Sequence, residues 1–166
     1  VSSAFLLFGL SYIYGMTESL EIRVIVGYFA SMPVLPPLLL VGWLLVLVGL
    51  GFKIAAAPFH AWAPDVYQNA PTPTAAWIAT GSKIAAIVLL VTLLKPAIEA
   101  PEGSPLRLPL GVALSGLAVV AMIVGNFAAL RQTNLKRLLA YSAIANAGYL
   151  LVGLVAFSND GRAATL

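Results

Sequence analysis

The sequence predicts an all-α transmembrane bundle, and three observations carry that expectation. First, 61% of the 166 residues are apolar and 9% are charged, against about 25% charged in an ordinary soluble domain. Second, the apolar residues gather into stretches close to the roughly 20 residues that cross a bilayer as helix. Third, within each stretch they surround the would-be helix instead of forming one stripe, as lipid-embedded or bundle-core helices require. With a mean hydropathy of +0.98, the chain holds more apolar surface than one core of this size can bury. That excludes a soluble globular enzyme. A barrel is excluded as well, because its strands alternate over roughly 10-residue segments, and satisfying the backbone in lipid then leaves helices.

About five spans follow in order. They fall near residues 1–16, 37–68, 73–94, 108–130 and 138–157 of a single membrane domain, 1–166. The second is discontinuous. Residues 24–35 are interrupted by Pro33 and read as an interfacial piece. The linkers at 17–23 (TESLEIR), 95–107 (KPAIEAPEGSPLR) and 131–137 (RQTNLKR) are polar. The last holds Arg131, Lys136 and Arg137 with no anion, and short Lys/Arg-rich loops face the cytoplasm. Counting outward places 17–23 and 95–107 outside and the 67–73 turn inside. The chain opens on Val1 within an apolar run and stops at Leu166 soon after another, so an internal fragment of a longer subunit is expected. No internal repeat is visible.

Several functions drop out. Nine Lys/Arg against six Asp/Glu, scattered along the chain, make no clustered nucleic-acid footprint. Without cysteine there is no disulfide, thiolate nucleophile, iron–sulfur ligand or Cys-ligated zinc, and a single histidine argues against a multi-His metal centre. No metal site is expected.

Two lysines stand out. Residues 37–69 are too many for one perpendicular span, yet they hold two charges, Lys53 and Asp65, with Pro58 between them. A proline there removes a backbone hydrogen bond and clashes with the preceding turn. A helix over 37–57, a break near Pro58 and a short helix over 59–68 are therefore expected, with Lys53 one turn before the break. Broken helices at membrane depth line cavities, and in transporters they form ion sites. Lys83 lies about ten residues from either end of its span, roughly 15 Å from each interface, beyond the reach of a snorkelling side chain. A central lysine costs roughly 2.5–3.5 kcal/mol to insert. A proton relay gives that cost a purpose, since a buried ammonium beside a movable anion can switch its charge. The plainer readings are that Lys53 sits near an interface and that Lys83 belongs to a static ion pair, although the acidic residues, Asp65 included, all fall in or near loops.

The remaining polar candidates cluster on the short half-helix. His60, the lone histidine and so the side-chain type suited to passing protons, is placed as a relay between the cytoplasm and Lys53; alternatively, His60 and Asp65 solvate and cap that helix. Trp62, with Tyr67 and Trp77, suits an interfacial aromatic belt. Pro64 shares the short helix, while Pro71 and Pro73 shape the turn and start the next helix. Ser142 and Asn146 lie one turn apart and read as water-holding or helix-bridging groups.

The segment from Lys53 to Pro73, KIAAAPFHAWAPDVYQNAPTP, resembles the signature of the antiporter-like membrane subunits of respiratory complex I. Its pattern is a lysine, a proline five residues on, His-x-Trp-x-Pro-Asp, then Ala-Pro-Thr. Gly-Ser-Lys83-Ile-Ala and the run Asn134-Leu-Lys136-Arg137 agree with it, and Pro-Asp-Val-Tyr followed by Ser-Lys is most similar to the subunit N branch of NADH-quinone oxidoreductase. The resemblance covers essentially the whole chain. It implies a fragment of a fourteen-helix fold with two inverted repeats, in which Lys53 matches the first broken-helix lysine and Lys83 the central lysine of the next helix, both for proton transfer. The family's channel glutamate would precede Val1, and its second broken-helix lysine would follow Leu166. Where relatives carry His or Gln this chain has Asn146, which cannot titrate. The resemblance further implies a multi-pass protein of the bacterial inner membrane. Its partners would be other membrane-arm subunits and the lipid bilayer, not nucleic acid, with no cofactor on this chain and NADH and quinone used elsewhere in the complex. The rivals are a multisubunit cation/proton antiporter, a membrane-bound hydrogenase complex and a bare scaffold.

Overall fold

The computed structural model describes residues 1–30, 34–95 and 105–156. Among them all regular structure is helical: α1 (Ser2–Thr17), α2 (Ile22–Ala30), α3 (Pro37–Ile54), α4 (Trp62–Asn69), α5 (Thr72–Trp77), a π-helical turn (Ile78–Ser82), α6 (Lys83–Leu93), α7 (Arg107–Leu130) and α8 (Leu135–Val155). Four stretches are long and apolar enough to cross a membrane: Pro37–Ile54, Thr72–Leu93, Arg107–Leu130 and Leu135–Val155. The first expected span is occupied by α1. Its 16 residues rise about 24 Å, short of a hydrocarbon core of roughly 30 Å. Residues 24–30 of the expected interfacial piece lie in α2, whose Ile25 is buried in the core. Most of the expected 95–107 linker, Pro33, and the end of the last expected span at Phe157 lie outside the described residues.

The break in the second crossing is present, but it starts earlier than the sequence suggested. Helix α3 stops at Ile54 and not at Ala57. In a continuing helix the Ile54 carbonyl would bond the N–H of Pro58, which has none, and the proline ring would strike that same carbonyl. The chain therefore leaves the helix at Ala55, whose φ of 57° is left-handed. A Schellman closure follows: Ala56 N–H donates to Gly51 O at 2.9 Å and Ala55 N–H to Phe52 O at 3.3 Å, occupying two carbonyls that the helix end would leave open. The second half begins later than expected, at Trp62. Pro64 sets that boundary. A proline fits in the first turn, where no N–H is needed, whereas a helix from Phe59 would have put Pro64 inside it against the His60 carbonyl.

Small residues decide how the helices meet. A Cβ on Gly9 of α1 would lie 2.6 Å from Gly42 O of α3, and one on Gly49 of α3 would lie 2.8 Å from Leu6 N of α1. The backbones are in near contact there. Gly125 of α7 repeats the arrangement, 2.6 Å from Ala145 N of α8. Without a hydrophobic drive between helices in lipid, such close approach is what holds a bundle together. The two helix pairs share one core, in which Leu39, Trp43, Val46 and Leu50 of α3 meet Leu110 and Leu114 of α7 and Leu151 of α8.

Candidate functional site

Lys53 occupies the last turn of α3, where a cation meets the negative end of the helix dipole. Its side chain is half-buried and lines a cavity of about 320 Å³ with Ser2, Phe52, Trp62 and Ser82. The broken ends are tied together by Trp62, whose indole Nε1–H donates to Phe52 O at 3.0 Å. That carbonyl therefore serves both the closure of α3 and the start of α4. Of the three aromatics expected at an interface, Trp62 is committed to this tie, and Tyr67 is 5% exposed with its ring edge-on to Trp62 at 6.5 Å. Trp77 alone of the three is open, at 74% exposure.

Lys83 is the first residue of α6, directly after the π-helical turn. One extra residue in that turn rotates everything beyond it by roughly a quarter turn of helix, and π turns concentrate at functional positions. Lys83 is 8% exposed, and its ammonium donates to Ala143 O of α8 at 3.0 Å. Neither Lys53 nor Lys83 is bridged to a carboxylate among the described residues. Lys83 lines a second cavity, of about 280 Å³, with Ile54, Thr80, Ala143 and Asn146 among its walls. Each cavity is walled by the chain neighbour of the other lysine: Ser82 faces the Lys53 cavity, and Ile54 faces the Lys83 cavity. Asn146 borders this space and is exposed in the isolated chain.

His60 lies in the turn before α4, not on the helix itself. Its carbonyl accepts from Ala63 N–H at 2.9 Å, and its ring faces Tyr141 of α8 at 6.4 Å between centroids. His60 Nδ1 and the Tyr67 hydroxyl are buried without a hydrogen-bond partner among the described residues. Asp65 does not cap α4. It is bound by Arg137, whose guanidinium reaches its carboxylate at 2.7 Å and Gln68 Oε1 at 3.0 Å. Lys136 donates from Nζ to Ala70 O at 3.2 Å. Both cations stand in the first turn of α8 and not in the loop where the sequence placed them, because the Asn134 side chain caps that helix by accepting from Lys136 N and Arg137 N. Their contacts bring the turn around residue 70 and the start of α8 to one end of the bundle. Pro71 and Pro73 open α5 as expected, Pro71 at the cap and Pro73 in the first turn.

A family model described as NADH:quinone oxidoreductase/Mrp antiporter, transmembrane, matches residues 1–166. The chain belongs to that family. Among curated relatives, NADH-quinone oxidoreductase subunit N 1 of Solibacter usitatus is 44% identical, with 99% of this chain and 33% of that protein covered. The chain thus spans about a third of the length of the curated relatives it matches. A chain in the solved structure of respiratory complex I from Thermus thermophilus with bound aureothin is 42% identical, with a TM-score of 0.72 over 94% of this chain and 31% of that one. Another, in the membrane-bound sulfane sulfur reductase, an archaeal respiratory membrane complex, is 28% identical with a TM-score of 0.78 over 93% of this chain and 30% of that one. The family's helical membrane architecture is the one found here.

Within this family fragment, sequence reasoning missed two features. The π turn before Lys83 has no compositional mark beyond Gly81-Ser82. The Arg137–Asp65 bridge joins residues 72 apart in sequence, although both belong to runs that the motif comparison had singled out.

Proposed function

We propose that the chain is part of a proton-translocating membrane-arm subunit of a NADH-quinone oxidoreductase of the bacterial inner membrane, and that Lys53 and Lys83 transfer the protons. The observation that carries this reading is Lys83: a nearly buried ammonium held by a neutral carbonyl at 3.0 Å and bordering a cavity whose wall includes Ile54, the chain neighbour of Lys53. A carbonyl orients an ammonium without neutralising it, so the charge stays responsive to distant fields. In this mechanism an anion arriving near Lys53 raises its affinity for a proton, and the departure of that anion drives the proton on towards Lys83. Lys83 must release Ala143 O to pass its proton further. His60, whose Nδ1 is buried without a partner among the described residues, acts as a relay on the α4 side. With no cysteine for cluster ligation, the chain contributes no redox centre, and the energy of quinone reduction by NADH reaches it electrostatically from neighbouring membrane-arm subunits.

A second reading rests on the match to an archaeal respiratory membrane complex at a TM-score of 0.78, and on a family description that also covers Mrp antiporters. On that reading the same module serves a cation/proton antiporter or a membrane-bound hydrogenase. One experiment separates them: Lys83→Ala in the complete subunit, with NADH-driven quinone reduction and proton uptake followed together in sealed vesicles. Loss of both in an assembled complex supports the first reading. Unchanged activities, with cation-driven proton exchange present, support the second.

A further inference from the structure

The Arg137–Asp65 bridge is not used by proton transfer, and its placement calls for an explanation. Helix α4 has eight residues, too few to persist as a helix by its own propensity. It is fastened at both ends. At its start, Trp62 Nε1–H donates to Phe52 O of α3. Towards its end, Arg137 holds Asp65 and Gln68 while Lys136 holds the Ala70 carbonyl. The fastening side is rigid, because Asn134 caps the first turn of a 21-residue helix. Two cations in the first turn oppose the dipole of that helix, so they do not serve α8 itself; what they gain is the carboxylate and terminal carbonyl of α4. Ala143, which accepts from Lys83, is on the same α8, six residues beyond Arg137 and about 9 Å along the axis.

We propose that Arg137 and Asp65 form a positioning latch that keeps the half-helix α4, and with it the broken end of α3 bearing Lys53, in register with the α8 carbonyl that holds Lys83. The latch rests on the reading of the two lysines as proton carriers. One rigid helix carries both attachments, so a shift of α4 along α8 changes the spacing between the Lys53 and Lys83 cavities. The pair is partly exposed, at 32% for Arg137 and 65% for Asp65, and exposed ion pairs contribute little to stability. Its loss therefore registers in transfer and not in assembly.

The test uses the complete subunit in its native complex. Arg137→Ala and Asp65→Ala each lower NADH-driven proton uptake roughly two- to thirtyfold, the range for loss of a coupling contact, while the complex still assembles on native gels. The exchange of charges, Asp65→Arg with Arg137→Asp, raises uptake above that of either single variant, which two side chains acting independently of each other would not do. Lys83→Ala is measured beside them. If Lys83→Ala stops uptake and the latch variants do not, the latch is overturned and the lysine reading stands; if Lys83→Ala leaves uptake unchanged, the reading beneath the latch falls. Should Arg137→Ala fail to assemble, the exchanged pair decides. Assembly with uptake supports the latch, whereas assembly without uptake, or no assembly, overturns it.

Discussion

Lys83 of α6 donates from its ammonium to the carbonyl oxygen of Ala143 on α8 across 3.0 Å, a bond between residues 60 apart in sequence. A central lysine costs roughly 2.5–3.5 kcal/mol to place in a bilayer, and one hydrogen bond from a charged group returns about 1.5–3 kcal/mol. The contact nearly offsets the burial of the charge without a counter-charge. What remains is a cation whose protonation other charges can bias, beside a cavity shared with Thr80 and Asn146.

Ala55 turns the chain out of α3 at φ 57° with its side chain fully buried. A left-handed conformation costs a non-glycine residue roughly 1–2 kcal/mol, and loss of one buried methyl costs about 0.8 kcal/mol. Ala55→Gly is therefore stabilising by a few tenths to about 1 kcal/mol. Ala55→Val adds bulk and β-branching to a left-handed, buried position and loses roughly 2 kcal/mol or more. Thermal unfolding of the complete subunit in detergent checks the contrast, and similar losses in both variants would refute it.

Trp62→Phe keeps an aromatic ring near Tyr67 but removes the donor to Phe52 O. The expected loss is about 1 kcal/mol, with assembly intact, because the Schellman bonds to Gly51 and Phe52 remain. Chemical denaturation in micelles measures it.

Glycine contacts give opposite results at two positions of one helix. A Cβ at Gly9 would lie 2.6 Å from Gly42 O and 2.8 Å from Val46 N, whereas one at Gly15 meets nothing within 4 Å among the described residues. Gly9→Ala forces α1 from α3 and loses roughly 1–3 kcal/mol. Gly15→Ala gains up to about 1 kcal/mol of helix propensity. Unfolding midpoints of the two variants, measured side by side, should move in opposite directions.

Much of this was legible in the sequence because proline and lysine speak locally. Pro58 announced a break, and the four-residue reach of a missing N–H explains why α3 ends at Ile54 and not beside the proline. Pro64 carried equal information about the start of α4, by the same rule applied in the other direction. Helix lengths near the bilayer thickness, together with all-round apolar faces, gave the architecture. The site was harder. Lys83 was conspicuous as a charge within an apolar span, but its partner is a backbone carbonyl, which no side-chain pattern can reveal. The π turn depends on backbone register and not on composition. Asp65 read as a cap and Arg137 as a loop charge because each was weighed in its own neighbourhood, while their bond arises only when α4 docks on α8.

The central claim is that Lys83 carries protons. The most direct measurement is proton uptake by sealed vesicles holding the complete subunit with Lys83→Ala, recorded while NADH reduces quinone and with complex assembly verified. The account predicts that uptake and quinone reduction fall together in an assembled complex. Uptake and NADH activity equal to those of the unmutated complex would contradict it.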